Sequence, residues 1–236
     1  NTAVEDAVNL GWKLARVIQG HAPQSLLDSY EAERKPLAER NTGYARYFAD
    51  SVGLFVANPK LDEDSSEGEA ERQNASEHLN RHARLEFNIP GVTFGGRYDA
   101  SPLILRDSSA LPPDEPNHYT PTASPGGRPP HAWLDDGRSL FDFFHAEWTL
   151  LVLGVHAPST GTFEAAAQSM RVDLRVVRLP QTALLDLYEA PLALIRPDQI
   201  VAWRGASSQD AAAVLAQACG SWASDAPPIA RGIQTS

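Results

Sequence analysis

The stretch that decides the reading is Asn1-Thr2-Ala3-Val4-Glu5-Asp6-Ala7-Val8-Asn9-Leu10-Gly11-Trp12-Lys13-Leu14, followed after a short gap by Leu27-Asp28-Ser29-Tyr30-Glu31-Ala32-Glu33-Arg34-Lys35-Pro36. Thr2 and Glu5 stand in T-x-x-E spacing, where the hydroxyl accepts from the N–H of residue 5 and the carboxylate reaches back to residue 2. Ala7, Leu10, Leu14 and Val17 recur at helical spacing, and Val4, Val8, Trp12, Ala15 and Ile18 fill the adjacent face. Two neighbouring apolar stripes predict a helix buried over most of its circumference, closed by Gly20 in the C′ position. Such a helix needs something to pack against. With no initiator Met and no signal peptide ahead of it, the chain is expected to be a piece of a larger protein.

These two blocks resemble the G-M-N-T-G-I-Q-D-A-x-N-L-A-W-K-L … L-L-D-S-Y-E-x-E-R-x-P stretch of FAD-dependent aromatic-ring hydroxylases, the flavin monooxygenases related to phenol hydroxylase and para-hydroxybenzoate hydroxylase. The resemblance implies that Asn1 and Thr2 contact the flavin, whose pyrophosphate and ring lie against the start of the helix, a natural anion site. It implies FAD as cofactor, NAD(P)H as co-substrate, O₂, and a phenolic or polyketide-type ring as substrate. Nothing here resembles the family's G-x-G-x-x-G after a strand, and the resemblance implies that its central Asp-Gly motif and its Gly-Asp flavin motif lie upstream. Gly95-Gly96 and Gly126-Gly127 lie in loop or Pro-rich context and fail the strand–turn–helix test. The expected partner is therefore a missing N-terminal FAD-binding half, without which the chain is not expected to hydroxylate anything.

Composition sets the outer limits. The 236 residues are 42% hydrophobic, enough for a real core, with a formal charge of −10. That charge argues against nucleic acid or an anionic membrane as partner, and no apolar run approaches a membrane span. A single cysteine, Cys219, excludes an internal disulfide and any cysteine-based metal cluster. A cytoplasmic location is expected.

Three regions and a tail separate along the chain. Residues 1–57 read as a helical remainder of an FAD and substrate domain. Pro36 is expected to kink or restart the second helix. Beyond it Leu37, Asn41, Tyr44, Phe48, Val52 and Phe55 form an aromatic row, read first as core packing and second as the lining of a channel beside the flavin. Residues 58–130 read as an irregular acidic and Pro-rich connector. Its acidic run around Asp62, Glu63 and Asp64 lacks a calcium-loop pattern and reads as a solvated segment or exposed helix. A short strand is expected near 91–105, where Gly95-Gly96-Arg97-Tyr98-Asp99-Ala100-Ser101-Pro102 resembles the family's L-G-x-x-Y-x-x-S-P.

Residues 131–223 read as a thioredoxin-like module, with 224–236 as a tail. Pro129-Pro130-His131-Ala132-Trp133-Leu134 and Asp136-Gly137-Arg138-Ser139 resemble the family's entry to its C-terminal domain. Strands are expected at 148–153, 172–179, 191–195 and 200–203, with helices at 162–170, 183–188 and 208–219, the last capped by Ser207 and Asp210. The order β-α-β-α-β-β-α is that of a thioredoxin-like fold. The fold class is thus α/β (α+β overall), a helical segment followed by a redox-inactive thioredoxin-like domain. Where thiol chemistry would need its cysteines the sequence reads Gly154-Val155-His156-Ala157-Pro158, without sulfur. Pro191, opening the third strand, is expected to follow a cis peptide bond.

No catalytic residue and no metal ligand is assigned. His78 and His82 share i, i+4 spacing but lack the acidic residue of H-E-x-x-H, and read as a solvent-facing pair. No G-x-S-x-G elbow is present. Arg128 and His131 are expected to tie loops to the module by hydrogen bonds, and Asp198 reads as a hairpin-turn residue. A second class of function stays open: a non-catalytic thioredoxin-like interaction or assembly module, or a split subunit. A homodimer also stays open.

Overall fold

The computed structural model describes residues 2–221, without the side chains of Ser51 and Val52. Asn1, one of the two expected flavin contacts, lies outside the described residues, as does the tail 224–236. Two long helices lead: α1 (Thr2–Ile18) and, after a short 3-10 turn (Gln24–Leu27), α2 (Asp28–Gly53). Pro36 lies inside α2 and the helix does not restart there. An internal proline costs a helix about 3 kcal/mol. Anchors on both sides offset this: Glu33 and Arg34 are buried just before it, and Leu37 packs on Tyr98 and Ile104 just after. Farther along the aromatic row, Phe48 is buried, while Tyr44 turns its hydroxyl to the Asp114 carbonyl.

The connector carries more helix than its composition suggests. Its acidic run leads into α3 (Ser66–Phe87), where the Ser65 hydroxyl accepts from the Gly68 N–H at 3.0 Å. Glu67 and Glu69 in the first turn favour the positive end of the helix dipole. Arg72 binds the carbonyls of Leu61 and Glu63 and the Glu69 carboxylate, so one cation collects the bend. The strand expected near 91–105 does not form. A one-turn helix, α4 (Pro90–Phe94), takes its place, followed by an isolated bridge between Arg97 and Gly127. Pro90 at the first helical position favours that turn. Gly91 fits because its backbone presses on the connector: an added Cβ would lie 1.7 Å from the Glu115 carbonyl oxygen.

The C-terminal module follows its expected order: β1 (Trp148–Leu153), α5 (Gly161–Ser169), β2 (Leu174–Leu179), α6 (Thr182–Tyr188), β3 (Leu192–Ile195), β4 (Val201–Gly205) and α7 (Ala211–Ala218). The sheet order is β2-β1-β3-β4, with β1 parallel to β2 and antiparallel to β3, and β3 antiparallel to β4. Every residue of β1 is buried, because helices cover both faces. Trp148, Leu150 and Val152 point to the side of α5 and α7, where Phe163, Val214 and Leu215 pack. Leu151 and Leu153 point to the side of α6, with Leu134, Leu140, Phe144 and Tyr188.

Two details correct the sequence reading. No cis peptide occurs among the described residues, so Pro191 follows a trans bond. Glu189, in the left-handed region at φ 55°, makes the turn from α6 into β3 instead. Asp210 does occupy the N-cap position of α7 but makes no side-chain cap, while Ser207 accepts from the Gln209 N–H.

The open edge of β4 is covered by the connector. Leu105 donates to the Ala202 carbonyl, Gly126 donates to Val201, and Val201 donates to Gly127. Arg204 adds an ion pair to Asp107 at 2.7 Å and a bond to the Tyr188 carbonyl. A sheet edge left bare is a template for unwanted pairing, and here the Pro-rich segment protects it.

Candidate functional site

Helix α1 has the reverse of the expected orientation. Its described buried residues are Asn9, Lys13 and Arg16, spaced i, i+4, i+7 on one face. The apolar residues are outside: Val4 is 62% exposed, Val8 51% and Ile18 81%. The polar face is turned toward the thioredoxin-like module and the apolar face toward open space.

Glu33 of α2 is the centre of the buried side. Its carboxylate accepts from Lys13 Nζ at 2.7 Å, Asn9 Nδ2 at 2.7 Å and Ser101 Oγ at 2.5 Å. Arg196, from the β3–β4 turn, grips it with both terminal nitrogens, at 2.6 and 2.9 Å. Arg196 also holds Asp198 at 2.6 Å and 2.9 Å, and Asp198 accepts from Asn9 at 3.1 Å. The guanidinium lies over the rings of Trp12 and Tyr98, at 5.2 and 5.3 Å from their centroids. Two cations and two carboxylates close a neutral set in which Lys13, Glu33 and Arg196 have fully buried side chains.

The electrostatics follow from this packing. Burial alone would raise the Glu33 carboxyl, but Arg196 and Lys13 hold it well below the usual carboxylate range. Burial likewise opposes the charge on Arg196, and Asp198 with Glu33 keeps it protonated above its ordinary value. For Lys13, burial outweighs the pull of Glu33, aided by repulsion from Arg196, and brings the ammonium down to about 8. Burial pushes Tyr98 up to about 12.

Two further contacts fix α1. Arg34 grips its first turn, donating to Asp6 at 2.7 Å, Glu5 at 2.9 Å and the Thr2 carbonyl at 3.4 Å, and to the Tyr98 hydroxyl. The Glu5 carboxylate, expected to close a capping box with Thr2, is thus taken by a guanidinium, a stronger charge-assisted partner. Lower down, Trp12 meets Trp148 of β1 edge-on at 5.7 Å, and Arg16 donates to the carbonyls of Arg171 and His21.

Beside the open face lies a cavity of about 230 Å³ lined by Val4, Val8, Arg34, Phe94 and Arg128 among others. A second cavity, of about 430 Å³ between α2 and the connector, shares several of those walls. Arg128 is held there by stacking on Phe141 and Phe94, at 4.2 and 5.4 Å, where hydrogen bonds had been expected. His131 does bond as expected, to the Ser139 hydroxyl at 2.9 Å.

The remaining candidates have structural partners or are buried in the core. His82 is buried and paired with Glu86, and His78 stacks on Phe55 at 4.9 Å, so the solvent-facing reading of this pair is corrected. In the module, the loop after β1 carries Thr160, which bonds Glu164 and Arg178, and no sulfur. Cys219 is buried among Val214, Leu215 and Trp148, and burial pushes its thiol up to about 11. At pH 8 only about a thousandth of it is then thiolate. In native protein Cys219 is expected to resist a disulfide-exchange reagent that labels it fully after unfolding; rapid labelling of folded protein would contradict this.

Sequence reading found the helix and the E-x-E-R-x-P block but missed the cluster they build. The signal was the polar spacing of Asn9, Lys13 and Arg16 between the two apolar stripes. Their partners Arg196 and Asp198 sit more than 160 residues away from Glu33 or Asn9, and Asp198 reads locally as an ordinary turn residue.

Comparison with known proteins places this arrangement. Residues 1–45 match the family described as FAD binding domain, and residues 122–226 match aromatic-ring hydroxylase, C-terminal. FAD-dependent monooxygenase opdD of Penicillium oxalicum is 34% identical over 233 residues, covering 93% of this chain and 44% of that protein. Aklavinone 12-hydroxylase RdmE of Streptomyces purpurascens is 31% identical, covering 92% and 38%. Phenol 2-monooxygenase of Pseudomonas sp. is 30% identical, covering 88% and 39%. Among solved structures, the rebeccamycin biosynthetic enzyme RebC with reduced flavin superposes with a TM-score of 0.84 at 32% identity, over 94% of this chain and 42% of its own. The ternary complex of aklavinone-11 hydroxylase with FAD and aklavinone gives 0.66 at 30%, over 93% and 40%. The chain therefore spans about two fifths of the length of these relatives. With both family matches in order and the stretch between them aligned, the chain is similar along most of its length to the C-terminal part of FAD-dependent aromatic-ring hydroxylases.

Proposed function

We propose that this chain is the C-terminal portion of an FAD- and NAD(P)H-dependent monooxygenase that hydroxylates an aromatic ring, phenolic or of polyketide type. The observation that carries the reading is the two-faced helix α1. Its polar side is locked to α2 and the thioredoxin-like module, while Val4, Val8 and Ile18 face outward at the start of a match to an FAD-binding domain. An N-terminal FAD-binding half would cover that apolar face.

The residues present fit one wall of a flavin site. A helix of 17 residues begins at the half-buried Thr2, where its first-turn N–H groups and positive dipole end lie, and Arg34 holds that turn in place. Thr2, with the preceding Asn1, is assigned to the flavin contact. When bound, FAD supplies the transfer of electrons from NAD(P)H to O₂ and of oxygen to the ring. This chain's residues would orient that cofactor, and none of them is assigned a proton transfer. Relatives named for phenol and aklavinone support a planar phenolic substrate. The acidic charge and single cysteine support a cytoplasmic setting, and no described helix is long and apolar enough to cross a membrane.

Absorbance tests the reading. The chain alone is expected to purify without flavin bands near about 370 and 450 nm. Joined to an N-terminal FAD-binding half, it is expected to gain both bands and to oxidise NAD(P)H faster when a phenol is added. A joined protein that folds yet takes up no flavin would leave the thioredoxin-like interaction module as the better account.

A further inference from the structure

We infer that the redox-silent thioredoxin-like module acts as the positioning device for helix α1, and that Arg196, through Glu33 and Asp198, sets where the first turn of that helix points. The inference rests on the reading that this turn faces the flavin.

Three contacts along one face define the attachment. At Asn9 and Lys13, the β3–β4 turn meets the helix through Asp198 and through the Glu33 carboxylate it shares with Arg196. One turn on, Trp12 abuts Trp148 of the central strand. At Arg16, the carbonyl of Arg171, in the left-handed corner between α5 and β2, accepts from the guanidinium. A helix held at residues 9, 12, 13 and 16 cannot rotate about its axis or slide by a residue without breaking all three contacts. An apolar seam would tolerate such slippage, because dispersion and hydrophobic contacts carry no direction. Directed, buried, charge-assisted bonds do not tolerate it.

The composition of the seam supports a role in geometry over one in stability. Buried ion pairs are weak stabilisers, since desolvation offsets their attraction, and fixing register is their best-attested use. The seam also leaves Asn9 Oδ1, Trp12 Nε1, Arg16 Nε and Trp148 Nε1 buried without a partner among the described atoms. An interface shaped for stability alone would have avoided these groups. The fixed orientation then passes along α1 to Thr2, Glu5 and Asp6, where Arg34 ties the turn down from the neighbouring residue to Glu33. Glu33 and Arg34 thus couple the two ends: one faces the module, the other the flavin-side turn.

The test compares Asp198→Asn and Arg196→Met with Leu184→Ala, which truncates a core side chain on the opposite face of the sheet, away from α1. Amide hydrogen exchange is read on the chain, and FAD dissociation constant and visible flavin spectrum are read on the joined protein. Asp198→Asn is expected to speed exchange across residues 8–17 by about tenfold or more, to weaken FAD binding by a similar factor, and to shift the flavin band. Arg196→Met is expected to do the same more strongly, and Arg196→Lys to restore part of it. Leu184→Ala is expected to lower Tm at least as much as Asp198→Asn while leaving α1 exchange and the flavin spectrum as in the parent. Should Arg196→Met fail to fold, Asp198→Asn and Arg196→Lys carry the comparison. The inference is overturned if folded Asp198→Asn binds FAD with unchanged affinity and spectrum, or if Leu184→Ala weakens FAD equally. A parent protein that binds no FAD would instead remove the proposed function, and unchanged α1 exchange in Asp198→Asn would then still refute the docking.

Discussion

Replacing Glu33 with Gln lowers the unfolding free energy at neutral pH by about 3–5 kcal/mol, the scale of loss when one partner of a buried ion pair is removed. The amide keeps the shape of the carboxylate but leaves Lys13 and Arg196, both with fully buried side chains, facing each other with only Asp198 for compensation. The neutral set becomes a net cation in a region of low polarity. Lys13, already brought down to about 8 by burial, is the group that yields by losing its proton. Urea unfolding at pH 7 reads the loss directly.

A paired variant separates the charge effect from simple cavity formation. Lys13→Met with Glu33→Leu removes one positive and one negative charge and leaves Arg196 with Asp198, itself balanced. Buried pairs replaced by apolar groups of similar volume are often neutral or better, so the double variant is expected to regain most of the stability lost in Glu33→Gln. A double variant as unstable as the single one would show that the cluster stabilises by more than charge balance.

The same carboxylate predicts a pH dependence. A carboxyl held below its unfolded value contributes stability that is present above that value, about 4, and is lost as pH falls through the folded one. Stability of the parent chain is therefore expected to fall as the pH drops below about 4, and Glu33→Gln to lose that part of the slope. Identical acid limbs in the two proteins would refute the assignment.

Trp148→Ala is the second large effect. Trp148 is 1% exposed at the start of the central strand, packed on the α5–α7 side and edge-on to Trp12. Its indole N–H has no partner among the described residues, so the loss is one of packing, about 3–5 kcal/mol for a buried aromatic truncated to Ala. For a chain of this size that corresponds to a Tm lowered by roughly 10 °C or more. The change also removes the middle of the three contacts on α1, so exchange in that helix is expected to rise together with the loss of the near-ultraviolet signal of the Trp pair. A variant within about 1 kcal/mol of the parent would mean that the side chain is not the keystone its burial indicates.

Much of the fold was legible because local pattern and tertiary environment agree there. The run Trp-Thr-Leu-Leu-Val-Leu is apolar on both sides, and a strand covered by helices on both faces needs that. The hairpin around Pro197-Asp198 and the helices after β1 and β2 carry their own turn and spacing signals. Where reading failed, local rules were overridden. Pro36 stays inside α2 because buried neighbours hold the helix on either side. The acidic segment, by contrast, took the second of its two readings, an exposed helix, because a serine cap and one arginine organise its start.

Helix α1 divides the two kinds of knowledge. Its helical character, its family resemblance and the lack of a cysteine pair in the module are read from the sequence itself, which was sufficient for them. Which side of α1 faces inward was decided by tertiary structure alone. Apolar stripes count as buried only against a partner, and the partners of Asn9 and Lys13 are charges brought from α2 and from a turn far along the chain. Pairing a buried cation requires a carboxylate within hydrogen-bond reach, and that distance exists only once the chain has folded.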